Sequence, residues 1–234
     1  MPSDRAPLRI NLGCGLLTHP NWVNVDGSWN ARLAKHPFLR KALTIFRILP
    51  KEKEAVPWNR DIFLHDIRKP LPFRDNSADA IYASHVLEHL YREQGQQLAR
   101  ECFRVLAPGG FVRFVVPDLH AVVREYLGEH PFGETPAPQP PIPAGDRMNE
   151  RLLMRWPSPS NRNFVLRAYE TMQDFHSHKW MYDEESLAAL LRSAGFVDVA
   201  RKNYAESRIP NVTDVEDASR IVNGAGVCVE GRKP

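Results

Sequence analysis

The sequence predicts an α/β fold with a doubly wound, largely parallel sheet. Two observations predict it: short apolar runs recur along the chain, and helical stretches lie between them. Each run has the length and composition of a buried strand. The first five runs are residues 8–13, 22–26, 61–67, 78–85 and 110–118. The chain has 234 residues, of which 43% are hydrophobic and 25% charged, so residues 1–234 are expected to form one globular domain.

The stretch between the fourth and fifth runs is predicted to be a helix. Leu98, Cys102, Val105 and Leu106 form an apolar face at helical spacing. The segment Pro108-Gly109-Gly110 is expected to end this helix and to turn the chain. A strand, a helix and a second strand in this order place the two strands parallel in one sheet.

The second half of the chain loses its pattern and then regains it. Residues 129–163 are rich in proline and are predicted to form a loop or flap. A helix is then expected to begin after Asp183 as N-cap and to stop at Gly195. Two further strands are predicted within residues 196–205 and 225–233.

One segment, residues 28–57, lies outside this alternation. Its central part, residues 31–54, mixes large apolar side chains with arginine and lysine and forms a basic amphipathic insertion. Such a segment either packs on the body of the protein as a helical cap or serves as an interfacial element or lid. The sequence leaves both interpretations open.

Charge and cysteine usage exclude several classes of protein. The formal charge of +3 is too small to indicate nucleic acid, but it is compatible with an anionic substrate or a membrane surface. The N-terminus lacks the apolar stretch of a signal peptide, and no window reaches the ~18 apolar residues of a membrane span, so a cytoplasmic protein is expected. Cys14, Cys102 and Cys228 lie far apart, which argues against a disulfide framework or a cysteine-rich zinc site.

Small residues follow the first predicted strand, in the segment Asn11-Leu12-Gly13-Cys14-Gly15. A turn of this kind lets a ligand approach the backbone at the carboxyl edge of a sheet. Asp26 ends the second strand, where a carboxylate accepts hydrogen bonds from ribose hydroxyls. Asp66 ends the third strand, where it can meet an adenine amino group.

Six segments extend this pattern along the chain: NLGCG, VNVD, HDIRKPLPF, DAIYASHVLEHL, LAPGGFVRFVVPD and LLRSAGF. With them the chain resembles a class I S-adenosylmethionine-dependent methyltransferase, apart from residues 28–57 and 129–163. Its opening and its late HKW segment are similar to those of small bacterial methyltransferases associated with polysaccharide and surface-glycan biosynthesis. The resemblance implies a Rossmann-like sheet of seven strands, the last antiparallel. It also implies S-adenosylmethionine as cofactor and S-adenosylhomocysteine as product.

The resemblance assigns roles to individual residues. The expected cofactor-binding residues are Gly13, Cys14, Gly15, Asp26, Asp66, Ile67, Ser84 and His85. Gly13, Cys14 and Gly15 are expected to face the methionine part of the cofactor, and Asp26 to hold the ribose. Asp66 and Ile67 are expected to flank the adenine, while Ser84 and His85 lie near the sulfonium and the substrate. Only ten residues separate Gly15 from Asp26, so the usual crossover helix is expected to be very short or absent. Leu17 stands where the family has a third glycine.

The segment His85-Val-Leu-Glu88-His89 also matches the H-x-x-E-H pattern of a family of zinc peptidases. That pattern requires a long helix, whereas here it follows directly on a strand among cofactor-binding motifs, which disfavours a peptidase. A histidine can instead act as the base that removes a proton from a hydroxyl acceptor, and the candidates are His85, His89, His176 and His178.

The same residues have a second interpretation, as a metal site. Some class I methyltransferases carry an E-x-x-E-H cluster at this position, which binds a divalent ion that orients the acceptor oxygens. His85, Glu88 and His89 could bind an ion here, with His178 completing the site. So many nitrogen ligands would favour a transition metal over magnesium.

The sequence therefore predicts methyl transfer to an acceptor that we expect to be a hydroxyl of a sugar or glycan intermediate. One alternative is a small-molecule O- or N-methyltransferase of secondary metabolism. Another is a catalytically inactive scaffold that keeps the cofactor, for which the incomplete glycine motif is the argument. No nucleic-acid partner is expected, because the Asn/Asp-Pro-Pro-Tyr motif of base methylation is absent from the sequence. Peripheral membrane contact through residues 31–54 is a further expectation.

Overall fold

The computed structural model describes residues 6–46, 56–129, 142–153 and 177–234. Within these ranges, no helix has the length and hydropathy needed to cross a bilayer. His176 and most of the proline-rich stretch lie outside the described residues.

A single sheet of seven strands organises the described chain. The strands are β1 (Arg9–Leu12), β2 (Val23–Asp26), β3 (Phe63–Leu64), β4 (Ala78–Ser84), β5 (Leu106–Val116), β6 (Val197–Lys202) and β7 (Val227–Arg232). Their spatial order is β3-β2-β1-β4-β5-β7-β6. The first five strands pair in parallel, and β7 runs antiparallel to both β5 and β6. This is the seven-stranded Rossmann-like sheet of class I methyltransferases, as predicted.

Six α-helices flank the sheet in the described part of the chain. They are α1 (Trp29–Ala34), α2 (Pro37–Ile45), α3 (Arg92–Val105), α4 (Leu119–Tyr126), α5 (Ala144–Leu152) and α6 (Glu184–Ser193). The carboxylate of Asp183 caps α6 by accepting a hydrogen bond from the Ser186 N–H. Gly195 follows that helix with a positive φ of 103°. The predicted bounds of α6 are therefore confirmed.

The side chains of β4 alternate between two cores because successive residues of a strand point to opposite faces. Ile81 and Ala83 belong to the larger core, which helices α3 and α6 cover. Tyr82 points to the other face, into a smaller core with Trp22. The segment that leads from β6 to β7 covers this second face, through Ile209, Val212, Val215 and Ile221.

Two predictions about chain connections have different outcomes. Residues 13–22 contain no helix, so the expected loss of the crossover helix between β1 and β2 is confirmed. In contrast, the segment Pro108-Gly109-Gly110 does not end α3. That helix stops at Val105 because Leu106 is already extended, with φ −63° and ψ 139°. The Pro-Gly-Gly residues lie instead in an irregularity of β5, between the pairs Ala78–Leu106 and Ala80–Phe111.

Both insertions contain helices in their described parts, which agrees with the sequence for the first and differs from it for the second. The described part of residues 28–57 contains α1 and α2 between β2 and β3. Within residues 129–163, where a loop was expected, residues 144–152 form helix α5. An ion pair of 2.5 Å between Arg151 and Glu125 joins this helix to α4.

Candidate functional site

A cavity of about 340 Å³ lies at the carboxyl ends of β1, β2 and β4. Parallel sheets of this kind bind ligands at this edge, where the chain leaves one strand and crosses to the next. Eight predicted site residues line the cavity: Gly13, Gly15, Asp26, Asp66, Ile67, Ser84, His85 and His89. The structure therefore brings most of the predicted residues into one place, and their individual roles stay predictions.

The turn after β1 needs its glycines for conformation and for space. Gly13 and Gly15 have φ of 63° and 54°, a left-handed backbone that disfavours other residues. A Cβ atom on Gly13 would also collide with the side chain of Val86. No atom lies within 4 Å of the corresponding position on Gly15, because that side of the turn is open. The backbone at Gly15 is thus accessible to a ligand in the cavity.

The carboxylate of Asp26 is almost fully buried, with 7% of the residue exposed. Its Oδ2 accepts a hydrogen bond of 3.0 Å from the Gly15 N–H, and its Oδ1 accepts one of 2.7 Å from the Ser28 N–H. Each carboxylate oxygen has a second acceptor site. Asp26 can therefore hold the glycine turn in place and still accept a hydrogen bond from a ligand hydroxyl.

Asp66 lies in the cavity wall with its carboxylate paired to Arg68. The guanidinium donates two hydrogen bonds of 2.8 Å to the two carboxylate oxygens. These bonds hold the pKa of Asp66 below its ordinary value. Asp66 is therefore a fixed acceptor at neutral pH, and the adjacent Ile67 supplies an apolar wall.

Cys14 lies beside the cavity and does not line it. Its side chain packs against Ala31 and Ile62 in a small apolar cluster. Burial, followed by the nearby Asp26 carboxylate, raises the pKa of the Cys14 thiol to about 12, so the thiol stays protonated. Its N–H donates to the carbonyl of Val25, which ties the glycine turn to β2. Cys14 thus contributes to the shape of the turn, whereas the prediction placed it against the methionine part of the cofactor.

His85 follows directly on β4 in an unusual backbone conformation, with a positive φ of 55°. A non-glycine residue in this region stores strain, and such residues concentrate at functional sites. Its Nε2 lies 3.4 Å from the carbonyl oxygen of Arg220, and its Nδ1 lies 3.5 Å from Oε1 of Glu88. Burial, followed by the charge of Arg220, lowers the pKa of His85 to about 4. His85 is therefore neutral at physiological pH.

Glu88 is fully buried in a short 3-10 helix, Leu87–His89, with no exposed side-chain surface. Neither of its carboxylate oxygens has a hydrogen-bond partner among the described residues. Burial raises the pKa of this carboxyl group to about 8. Since the pattern His85-x-x-Glu88-His89 does not lie on a long helix, the geometry that the peptidase pattern requires is not formed.

The segment around residue 178 is held against this 3-10 helix. The N–H of Lys179 donates to the carbonyl oxygen of Glu88 over 2.6 Å, and the Lys179 ammonium donates to the carbonyl of His89. The rings of His89 and His178 meet edge to face, with centroids 5.0 Å apart. His178 does not line the cavity itself, but it lies directly behind His89.

Three histidines surround the Glu88 carboxylate, and each uses one ring nitrogen on a backbone carbonyl. These carbonyls belong to Arg220 for His85, to Ser177 for His89 and to Leu152 for His178. If each of those nitrogens carries the proton, His85 Nδ1 and His89 Nε2 direct lone pairs toward Glu88, at 3.5 and 3.8 Å from Oε1.

This arrangement fits a metal ion. Ligating atoms of Glu88, His89 and His178 lie within 4.8 Å of one another. Nδ1 of His178 and both Glu88 oxygens are buried without a hydrogen-bond partner among the described residues, which is unusual for polar atoms unless they bind a ligand. The backbone carbonyls would fix the tautomers of the histidines, as outer partners do in metal sites. His85 lies 3.5 Å from Glu88 and is close enough to join the set.

Three cavity residues were missed by the sequence analysis: Trp29, Trp58 and Arg220. Trp29 begins α1 and is 45% exposed. Arg220 reaches the cavity from the segment between β6 and β7, where its guanidinium lies 3.3 Å from the carbonyl oxygen of Ser84. It is the one arginine or lysine among the described lining residues. No spacing in the sequence marks Arg220, because its segment has no helical or strand periodicity.

Residues 41–114 match the family model described as "Methyltransferase domain", a match that covers less than half of the chain. No curated protein matches the sequence at a significant level. Several solved structures show weak similarity. A methyltransferase in complex with the Trm112 methyltransferase activator from Haloferax volcanii is 14% identical, with a TM-score of 0.45, and the alignment covers 100% of this chain and 85% of that one.

One bacterial and one archaeal methyltransferase show weak similarity of the same order to this chain. The first, an S-adenosylmethionine-dependent methyltransferase from Thermotoga maritima, is 16% identical with a TM-score of 0.41, over 97% of this chain and 82% of that one. The second, from Archaeoglobus fulgidus, is 15% identical with a TM-score of 0.43, over 97% of this chain and 86% of that one. Similarities this weak carry no argument about substrate or partner.

Proposed function

We propose that this protein is an S-adenosylmethionine-dependent methyltransferase. It transfers the methyl group of the cofactor to a hydroxyl of a sugar or glycan intermediate. The sheet topology and the methyltransferase-domain match support the methyl transfer. The observation that carries the proposal is the cavity itself, which Gly13, Gly15 and Asp26 line together with His85 and His89. A cofactor bound against the glycine turn would present its methyl group toward the histidines.

Methyl transfer from a sulfonium is an in-line displacement in which the acceptor oxygen forms a bond to carbon as the sulfur leaves. The protein mainly has to orient the two reactants and exclude water. When the acceptor is a hydroxyl, its proton must also leave. His89 is the best-placed base because it lines the cavity and is backed by His178. His85 is less suited, since a group with a pKa of about 4 is a weak base at neutral pH.

A divalent transition metal at Glu88, His89 and His178 is the alternative to His89 as base, because a ring nitrogen bound to an ion cannot also accept a proton. The structure's donor set fits such an ion, as the unpartnered Glu88 oxygens indicate. An ion of this kind, when bound, would lower the pKa of a coordinated hydroxyl and orient it. The chain's own contribution is to hold the histidine rings against backbone carbonyls and to keep the carboxylate out of water.

Two aromatic side chains support a sugar-bearing acceptor. Trp29 and Trp58 line the cavity, and indole rings provide flat apolar faces on which a sugar ring can stack. Arg220 adds a cation to the same cavity, which suits an acceptor that carries a phosphate. A cytoplasmic location, where nucleotide-activated and lipid-linked sugars are accessible, remains part of the proposal.

The experiment is an acceptor screen with S-adenosylmethionine carrying a labelled methyl group. The panel contains free and nucleotide-activated sugars, catechol-like hydroxyls and amines, and the readouts are S-adenosylhomocysteine formed and the labelled product. We expect O-methylation of a sugar hydroxyl. A labelled amine as the main product would contradict the proposed acceptor. Cofactor binding without turnover on any acceptor would favour a scaffold.

A matched pair of variants tests the base. His89→Gln should lower turnover by about 10²- to 10⁴-fold while cofactor affinity stays within about threefold, because a lost proton acceptor affects the chemical step. His36→Gln changes an exposed histidine at the start of α2 and should leave both values unchanged. If the two variants behave alike, His89 is not the base.

A further inference from the structure

Helix α2 turns its apolar side chains toward solvent. Phe38 is 89% exposed, Phe46 75%, Ile45 69% and Leu39 50%. These residues, together with Ala42, fall on one face because residues three, four and seven apart lie on the same side of a helix. In a helix that packs on a globular body, such a face is the buried one. Here it forms an exposed apolar patch.

The face that α2 buries is polar. Thr44 is 8% exposed and its hydroxyl donates to the carbonyl of Arg40. The Arg40 guanidinium donates to the carbonyl of Val56 over 3.0 Å, which fastens the helix to the chain that returns toward β3. The apolar face is therefore not needed to attach α2 to the rest of the protein.

The charged residues of helices α1 and α2 have one sign. Residues 29–46 contain Arg32, Lys35, Arg40 and Lys41 and no aspartate or glutamate. The chain as a whole is nearly balanced, with 31 basic and 28 acidic residues. Lys35, two residues before α2, and Lys41 within α2 are both exposed. A second copy of this surface is a poor partner, because a symmetric contact would bring the same cations together.

We propose that α2 is a membrane-docking helix that lies in the headgroup region of an anionic lipid bilayer. Its phenylalanines and Ile45 would insert among the acyl chains, and the cations of residues 29–46 would meet lipid phosphates. An apolar face beside cations, without acidic residues, is the composition that favours such a surface.

The docking helix is close to the candidate site. The polypeptide passes from Asp26 at the end of β2 into α1, whose first residues, Trp29 and Asn30, line the cavity. Helix α1 leads directly into α2. A bilayer that holds α2 would therefore lie near the cavity and give it access to an acceptor carried on a lipid. The docking itself does not depend on the identity of the acceptor.

The test is flotation of the full chain with lipid vesicles, one set of phosphatidylcholine alone and one containing a quarter phosphatidylglycerol. We expect the parent protein to float with the anionic vesicles and to remain unbound with the neutral ones. Phe38→Ser with Phe46→Ser should weaken the partitioning at least tenfold, because two large apolar side chains no longer leave water. Lys35→Gln with Lys41→Gln should also weaken it at least tenfold, at about fivefold per cation.

The matched control removes two exposed apolar side chains elsewhere, Tyr126→Ser with Leu127→Ser at the end of α4, which are 50% and 64% exposed in the parent. It should bind vesicles within about twofold of the parent. Equal loss in this control, or no binding by the parent, would overturn the proposal. Self-association of the parent that disappears in Phe38→Ser/Phe46→Ser would overturn it in favour of a protein interface. Cofactor titration of the same variants separates this outcome from a failure of the methyltransferase assignment.

Discussion

The N–H of Gly15 donates a hydrogen bond of 3.0 Å to Oδ2 of Asp26, which joins the turn after β1 to the end of β2. The bond connects the two sequence features from which a nucleoside-binding site was predicted. It also means that Asp26 has a structural task besides any contact with a ribose. Substitutions in this part of the cavity must therefore be judged by stability and by ligand binding together.

Gly13→Ala should damage both the turn and cofactor binding. The residue would keep a left-handed backbone at a cost of about 1–2 kcal/mol, and its methyl group would collide with Val86. We expect at least a tenfold loss of S-adenosylmethionine affinity, measured by calorimetry. Gly145→Ala is the control, because Gly145 lies in α5 with open space around it and no positive φ. That change should leave affinity unchanged and stability the same or slightly higher.

Glu88→Gln should change how stability depends on pH. The pKa of Glu88 is raised from 4.5 to about 8, so the folded state holds a proton that the unfolded state has lost. The free energy of unfolding should therefore fall as pH rises between about 4.5 and 8. His85 acts in the opposite direction, because its pKa is lowered from 6.5 to about 4, but its effect is complete above pH 6.5.

The clean window for this measurement is thus pH 6.5 to 8, in the presence of a chelator, because cysteine thiols of the unfolded chain begin to ionise above it. Urea unfolding of the parent should show a loss of up to about 2 kcal/mol across this window. Glu88→Gln cannot ionise and should show a flat profile. A parent profile that does not fall, or a variant with the same slope, would mean that Glu88 is not held protonated by burial.

The metal part of the proposal predicts a defined response to chelation. Activity should fall when the protein is treated with a chelator and return with Zn²⁺, Mn²⁺ or Co²⁺. His178→Ala should weaken Co²⁺ binding at least tenfold, because one nitrogen ligand is lost. The binding is measured by the visible absorption of the bound Co²⁺. His36→Ala is the control. Full activity after chelation, with no Co²⁺ absorption, would remove the metal and leave His89 as base.

A buried ion pair supports the segment that carries Arg220. Arg113 and Glu216 are both fully buried and 2.7 Å apart. The guanidinium also donates to the backbone carbonyls of Asn203 and Glu206. Arg113→Leu should cost about 3–5 kcal/mol in urea unfolding, because the Glu216 charge is left buried without its partner.

The control for this change is Arg201→Leu, which breaks the exposed pair between Arg201 and Glu184. That loss should be under about 1 kcal/mol. Similar values for the two variants would show that the buried pair does not stabilise the segment between β6 and β7.

The strands were predictable because a buried strand leaves a strong local signal. Every apolar run assigned to a strand overlaps one, although the third shrinks to Phe63–Leu64 and the fifth strand already begins at Leu106. The end of α3 was not predictable from Pro108, because the backbone already becomes extended at Leu106. Periodicity around α2 indicated an amphipathic helix, but it does not say which face is buried. That depends on the contacts of Arg40 and Thr44.

The site was predictable to the extent that its residues follow strands. Gly13, Asp26, Asp66 and Ser84 reach the cavity because parallel strands end at the same edge. Arg220 was missed since it arrives from a distant irregular segment. The burial of Glu88 was missed for a similar reason: it is produced by the segment near residue 179, which packs on the 3-10 helix.

The central claim is that this cavity binds S-adenosylmethionine, and calorimetric titration tests it most directly. The parent, Asp26→Ala and the control Asp61→Ala, which changes an exposed aspartate, are titrated with S-adenosylmethionine and S-adenosylhomocysteine. We predict saturable binding of both ligands to the parent and to Asp61→Ala, and at least a tenfold loss in Asp26→Ala. A folded parent protein that binds neither ligand would contradict the account.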